Sequence, residues 1–251
     1  MPATDALIAP GPAAPQALLE QLLSFLVPSR CAACGEARRG VGGGGVCARC
    51  WSTLPVLDAE ESCPRCALPT GGRTCRACER RPPPVDRAAA VGPYAGSLKR
   101  LIAAYKFEGW DLLAPPAAAR MAELARRTRL DEGVDAVVPV PSTRGRNRRR
   151  GYDPADLLAV EAARRLDLPA EALLARTRET APQSDLPASK RPANVAGAFA
   201  ARPAAAGRSI LLVDDVVTTG ATAFAAASAL RAAGARTVCL LVLARTPEPG
   251  T

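Results

Sequence analysis

Histidine is missing altogether from this chain of 251 residues. Its absence removes imidazole as a general base and as a metal ligand. Lysine is nearly absent too, with Lys99, Lys106 and Lys190 its only representatives. The net charge of +9 and the pI near 9.4 are therefore carried by arginine. Such a balance suits polyphosphate or nucleic-acid partners, although arginine enrichment from a GC-rich genome produces it as well. No basic segment leads into an apolar core near the start, so no secretory leader is read there. No apolar run approaches the ~18 residues that a membrane helix requires. The expectation is a cytoplasmic protein without membrane insertion, in a compartment where disulfides are rare. Its length allows one or two domains at about 100–200 residues each.

Cysteine is what this chain has in quantity. Eight of the nine cysteines fall in four Cys-x-x-Cys pairs: Cys31/Cys34, Cys47/Cys50, Cys63/Cys66 and Cys75/Cys78. Thiolates at that spacing sit on one knuckle turn, and two such turns grip a tetrahedral Zn²⁺. Twelve residues separate the first two pairs and eight the last two, so each gap fits a small ribbon. Two sites in series are the simplest assignment. An interleaved pairing, a single occupied site and an iron–sulfur cluster stay open at this stage. The ninth cysteine, Cys239, lies in an apolar strand and reads as core.

The rest of the chain is organised around Ile210–Thr222. An apolar run, Ile210-Leu-Leu-Val213, suits a strand buried on both faces of a parallel sheet. Asp214 and Asp215 end it. Thr218-Thr219-Gly220-Ala221-Thr222 forms a polar turn, and an Ala-rich helix follows from about Ala223 to Ala233. A second strand at Thr237–Ala244 completes a βαβ unit. Ligands of open α/β sheets bind at such carboxyl ends. Gly220 permits close approach, and backbone N–H groups with the hydroxyls of Thr218, Thr219 and Thr222 suit a phosphate. The two carboxylates repel phosphate and suit ribose hydroxyls or a hydrated Mg²⁺.

Residues 1–15 are rich in Pro and Ala and are expected to be disordered. Gln16–Val27 has leucines at helical spacing, and Arg80-Arg-Pro-Pro-Pro84 is a stiff linker. These divide the chain into a helix plus double zinc ribbon over 16–80 and an α/β domain over 85–246. Within that domain a strand is expected at Arg87–Tyr94 and helices at Gly96–Lys106, Leu112–Arg129 and Pro154–Leu166. A short strand at Val134–Val138 runs into Pro139-Val-Pro141-Ser142-Thr143-Arg144. A run of five arginines with no acid, Arg144 to Arg150, reads as a sheet-edge loop that meets phosphates or a solvated charge cluster. The polar stretch Arg176–Phe199 reads as a long excursion or lid, with Gln183, Lys190, Arg191 and Asn194 as candidate contacts.

The stretch Val213–Thr222 resembles the phosphoribosyl-pyrophosphate (PRPP) motif of type I phosphoribosyltransferases. With the four knuckles, Tyr94, Lys106-Phe107, Pro139-Val-Pro141, Arg150-Gly-Tyr152 and the series Arg176, Gln183, Arg191, Asn194, Phe199, the chain resembles the ComF family, also called ComFC or GntX. The likeness covers about residues 18–245. It implies the Rossmann-like parallel α/β sheet of type I phosphoribosyltransferases behind a small zinc-ribbon domain. It implies that Asp214 and Asp215 hold the ribose hydroxyls and Thr218–Thr222 the 5-phosphate. The Pro139–Arg144 turn, with Pro141, Ser142 and Arg144, would face the pyrophosphate with Mg²⁺, Lys106 would bind PRPP as well, and Gln183, Arg191 and Asn194 would lie on a mobile loop. It implies a pentosyltransferase of unknown acceptor in nucleotide metabolism, or a factor in DNA uptake with single-stranded DNA and a competence helicase as partners. One departure stands out. Relatives commonly carry Arg-Gly-Phe-Asn-Gln where this chain has Arg150-Gly151-Tyr152-Asp153-Pro154, which removes two amides and adds a negative charge.

Overall fold

The structure, a computed structural model, describes residues 29–38, 45–178, 187 and 190–247. The segment 1–15, the expected helix at Gln16–Val27 and Gln183 lie outside the described residues. Two small cysteine modules come first. Strands β1 (Ser29–Arg30) and β2 (Ala37–Arg38) pair antiparallel about the first knuckle, and helix α1 (Ala48–Ser52) starts on the second. Helix α2 (Arg76–Arg80) starts on the fourth knuckle in the same way.

The larger part follows as β3 (Arg87–Pro93), α3 (Gly96–Phe107), α4 (Ala114–Arg127), β4 (Ala136–Pro139), α5 (Arg144–Arg150), α6 (Pro154–Leu166), β5 (Leu174–Arg176), α7 (Arg191–Val195), β6 (Phe199–Ala201), β7 (Ser209–Val217), α8 (Ala221–Ala232) and β8 (Thr237–Arg245). A parallel sheet in the order β3-β8-β7-β4 lies at its centre. Ile210 and Leu212 point into one buried cluster with Leu230 of α8 and Leu174 and Phe199 of the β5–β6 hairpin. Leu211 and Val213 point into the other, with Leu101, Tyr105, Met121 and Leu158 of α3, α4 and α6. Helices thus cover both faces, which is why the β7 strand is a continuous apolar run rather than an alternating one.

Two sequence expectations are corrected. The arginine run is not a loop but α5, with Thr143 extended at its N-cap and Gly151 left-handed at φ +83° closing it. Arginine is a good helix former, and glycine at that position is an ordinary helix stop. The strand of the central motif does not stop before the carboxylates, since β7 continues through Asp214 and Asp215 to Val217. The Arg176–Phe199 stretch does run between strands, as expected, since Arg176 of β5 pairs antiparallel with Phe199 of β6.

Both outer strands of the sheet have company. On β3, the Leu57 N–H donates to the Val91 carbonyl at 2.9 Å and the Ala88 N–H to the Pro64 carbonyl at 2.7 Å. Gly92 makes that approach possible, because a Cβ there would lie 2.2 Å from the Pro55 carbonyl oxygen. On β4, Val137 bonds to Pro169 and Glu171. The first cysteine module rests on the helices, where Arg120 donates to the Trp51 carbonyl at 2.6 Å and stacks on its ring at 5.2 Å. Among the described residues no helix is long and apolar enough to cross a membrane.

Candidate functional site

The carboxyl ends of β7 and β4 lie side by side, with Pro139 in register with Val213. Beyond them, Asp214 and residues 216–223 line one concavity. The turn is built on Gly220, which adopts φ +82° as the N-cap of α8. A Cβ at this position would sit 2.2 Å from the Phe224 ring, so only glycine fits both the dihedral and the space. The first turn of this helix, Ala221, Thr222 and Ala223, lines the concavity, where the helix dipole favours an anion.

The two aspartates are differentiated by the strand they share, since successive residues of a strand face opposite ways. Asp214 lines the concavity. Asp215 is buried and meets Lys106 of α3 at 2.7 Å. Burial, and then the neighbouring charge of Asp215, push the Asp214 carboxyl well above its ordinary value, with Lys106 pulling the other way. A carboxylate so placed gains from any hydroxyl or cation that reaches it.

The remaining expected contacts gather round this centre to different degrees. Arg191, at the start of α7, donates to the Thr218 hydroxyl at 3.2 Å. Asn194 lies on the same short helix, and its carbonyl accepts from Arg178 at 3.0 Å. Pro141 accepts from Arg176 at 3.3 Å. Ser142 is held inside its own turn: its N–H donates to Asp153 at 3.0 Å, and its hydroxyl bonds to Asn147. Arg144 occupies the first position of α5. Asp153 also caps α6 through the Ala155 N–H at 3.1 Å, with Pro154 at the first helical position. The Asp-Pro departure therefore supplies a helix start and a latch for the Pro141–Asn147 turn in place of two amides.

Each cysteine module gathers four thiols whose sulfur atoms lie within 4.8 Å of one another, Cys31/Cys34/Cys47/Cys50 and Cys63/Cys66/Cys75/Cys78. The assignment in series holds, and the cysteines are free of disulfides. Sulfur separations of 4.0 Å for Cys34–Cys47 and 3.7 Å for Cys66–Cys75 bracket the ~3.8 Å edge of a tetrahedron with ~2.3 Å Zn–S bonds. Backbone amides already point at the sulfurs in both modules: the Cys47 N–H lies 3.3 Å from Cys31 Sγ, and the Cys75 N–H 3.3 Å from Cys63 Sγ. The donor set fits zinc.

A double zinc ribbon domain matches residues 22–85, and a phosphoribosyl transferase domain matches residues 111–250. The DNA utilization protein YhgH of Escherichia coli strain K12 is 35% identical over 227 residues, covering 88% of this chain and 98% of the relative. Competence protein F of Haemophilus influenzae is 33% identical over 68% of this chain and 78% of the relative. Competence protein ComFC of Streptococcus pneumoniae is 30% identical over 80% and 87%. The chain belongs to the ComF family. Its ComF architecture joins the second four-cysteine module to the α/β phosphoribosyltransferase fold along β3, while the first rests on the helices.

The sequence alone did not single out Arg245 and Phe224. Arg245 ends β8 as Asp214 approaches the end of β7, so a charged residue closing an apolar parallel strand was the signal that pointed to it.

Proposed function

We propose that the chain binds PRPP with Mg²⁺ in the concavity beyond β7 and transfers its phosphoribosyl group to an acceptor. The observation that carries this reading is the placement, on one strand end, of a glycine-built helix N-terminus beside the Asp214 carboxyl, whose charged form burial disfavours. In this reading the N–H groups and hydroxyls of Thr218–Thr222 hold the 5-phosphate, and Asp214 accepts the ribose hydroxyls. Lys106 gives one of its three N–H donors to Asp215 and has others for the pyrophosphate. Mg²⁺ would neutralise the pyrophosphate as it leaves. The bond from the anomeric carbon to pyrophosphate breaks as the acceptor's bond to that carbon forms. Positive charge on the sugar ring then falls near Asp214, and negative charge on the leaving group falls near the basic residues.

Calorimetric titration of PRPP–Mg²⁺ tests it. Asp214→Asn and Asp215→Asn are each expected to weaken binding about 10- to 100-fold, the usual loss for a hydrogen bond to a charged group. Wild-type protein that gives no heat at millimolar PRPP sinks the reading. Asp214→Asn carries a second expectation. The native carboxyl is raised above its unfolded value, so the carboxylate weakens the fold as pH rises through that raised value. The ligand-free variant should thus melt higher than wild type near neutral pH, by about 0.5–2 kcal/mol of stability. That gain should vanish below the ordinary carboxylate range, where both forms are protonated.

A second reading has a specific observation behind it. Helix α5 presents exposed Arg148, and Arg150 lies 4.9 Å over the exposed Phe107 ring, which puts basic groups beside a stacking aromatic. The relatives' names speak of competence and DNA utilization. Single-stranded DNA on this face, with a competence helicase as a further partner, fits those names. Replacing Arg146, Arg148, Arg149 and Arg150 with Ala should lower the slope of log affinity against log salt by up to about 3, at ~0.7 per phosphate contact. An unchanged slope clears α5 of the role.

A further inference from the structure

The second cysteine module touches the anion-binding turn through one buried arginine. Arg245 is only 8% exposed. Its Nε donates to the Cys66 carbonyl at 2.9 Å, inside the third knuckle. Its Nη1 lies within hydrogen-bond reach of the carbonyls of Val217 at 3.3 Å, Thr246 at 2.8 Å and Thr218. One planar fork therefore spans from the metal-site backbone to the first residues of the turn. Phe224 makes a separate, apolar link. Its ring packs against the Cys63–Cys78 cluster and stands where a Cβ of Gly220 would be.

These bonds have a directional effect on the turn. A trans peptide unit is planar, so its N–H points opposite to its carbonyl. The chain has no cis peptide bonds among the described residues. The Val217 carbonyl is already turned toward β8 by the Thr246 N–H at 2.9 Å, but the Thr218 carbonyl is drawn by Arg245, so the N–H of Thr219 must point away from the guanidinium. Thr218 and Thr219 line the concavity. We propose that Arg245 is a positioning residue that aims the Thr219 N–H at the turn's anion, and that the second four-cysteine site supports the turn through Arg245. The proposal rests on reading the turn as an anion site. It gives the second module a task beyond stapling a short segment: its metal occupancy sets the order of a turn on a different part of the fold. Arg245 touches no reacting atom and acts through the backbone alone.

The test uses the full zinc-loaded chain and hydrogen–deuterium exchange of the peptide spanning 216–223. Arg245→Lys keeps the positive charge but loses the fork. It should retain two zinc ions and a cooperative melt, speed exchange in this peptide about tenfold or more, and leave peptides of α6 unchanged. PRPP–Mg²⁺ affinity should fall about tenfold, the effect of losing a charge-assisted bond. Partial zinc removal by a chelator, followed with a colorimetric zinc indicator, supplies a second arm. It should speed turn exchange in wild type and add less in Arg245→Met, where only the Phe224 contact still joins the module to the turn. An Arg245→Lys turn that exchanges as in wild type overturns the proposal. So does zinc removal that loosens the turn equally in wild type and Arg245→Met. Wild type that binds no PRPP at all defeats the functional reading instead, and the exchange arms still decide whether the coupling exists.

Discussion

Gly220→Ala should lower the melting temperature by roughly 5–15 °C and abolish measurable PRPP binding. Two costs combine. An L-residue at the glycine's φ of +82° is strained by about 1–2 kcal/mol. Its Cβ would lie 2.2 Å and 2.6 Å from two ring atoms of Phe224, and forced overpacking of that kind adds about 1–3 kcal/mol. A chain of this size loses about 2–4 °C per kcal/mol. Phe224 cannot yield freely, since its ring contacts both the sheet-side core and the second cysteine cluster. Gly109→Ala is the control. Its φ is +74°, yet nothing lies within 4 Å of the added carbon. It should therefore lose only the dihedral part and leave ligand affinity alone. Identical melting of the two variants by differential scanning calorimetry would show that the Phe224 contact carries no weight.

Stripping the metal should have the largest effect of all. The cluster around Cys63, Cys66, Cys75 and Cys78 contains one buried aliphatic side chain, Leu68, with Phe224 at its rim. That is far too little apolar area to fold a segment unaided. Binding energy of structural zinc in isolated small modules is about 10–16 kcal/mol and acts directly as folding energy. Exhaustive chelation should accordingly remove two zinc ions per chain and cost more than 10 °C of melting temperature. The first site should tolerate loss better, because Cys31 and Cys50 belong to the main core beside Leu54 and Val46. Elemental analysis gives the count, and a chain that melts as before after losing both ions would show that the cysteines pack by themselves. Iron in place of zinc would correct the metal assignment.

Much of this was legible in the residues. The knuckle spacing carried the series pairing of the eight cysteines, since twelve- and eight-residue gaps close small ribbons. The helix at Pro154–Leu166 was readable from its apolar positions and is found with those bounds. Ile210–Val213 announced a strand covered on both faces. What stayed hidden depends on partners distant in sequence. Lys106 and Asp215 are 109 positions apart, and no local pattern marks them as an ion pair. Arg245 and Cys66 are 179 positions apart. The arginine run was misread for another reason: its charge drew the eye from Thr143 and Gly151, the start and stop signals on either side. Asp153 looked like a loss until its carboxylate was seen capping α6 and latching Ser142.

The hydrogen bonds that Leu57 and Pro64 make along β3 bear on how the chain stays dispersed. An uncovered flank of a sheet is a template on which other chains can add strands. Here the ribbon lies along that flank, and Gly92 is the notch that admits it. A fragment beginning at residue 85 would keep the catalytic-looking half and lose its guard, so such a truncated protein is expected to gather into insoluble assemblies at concentrations where the intact one remains monodisperse.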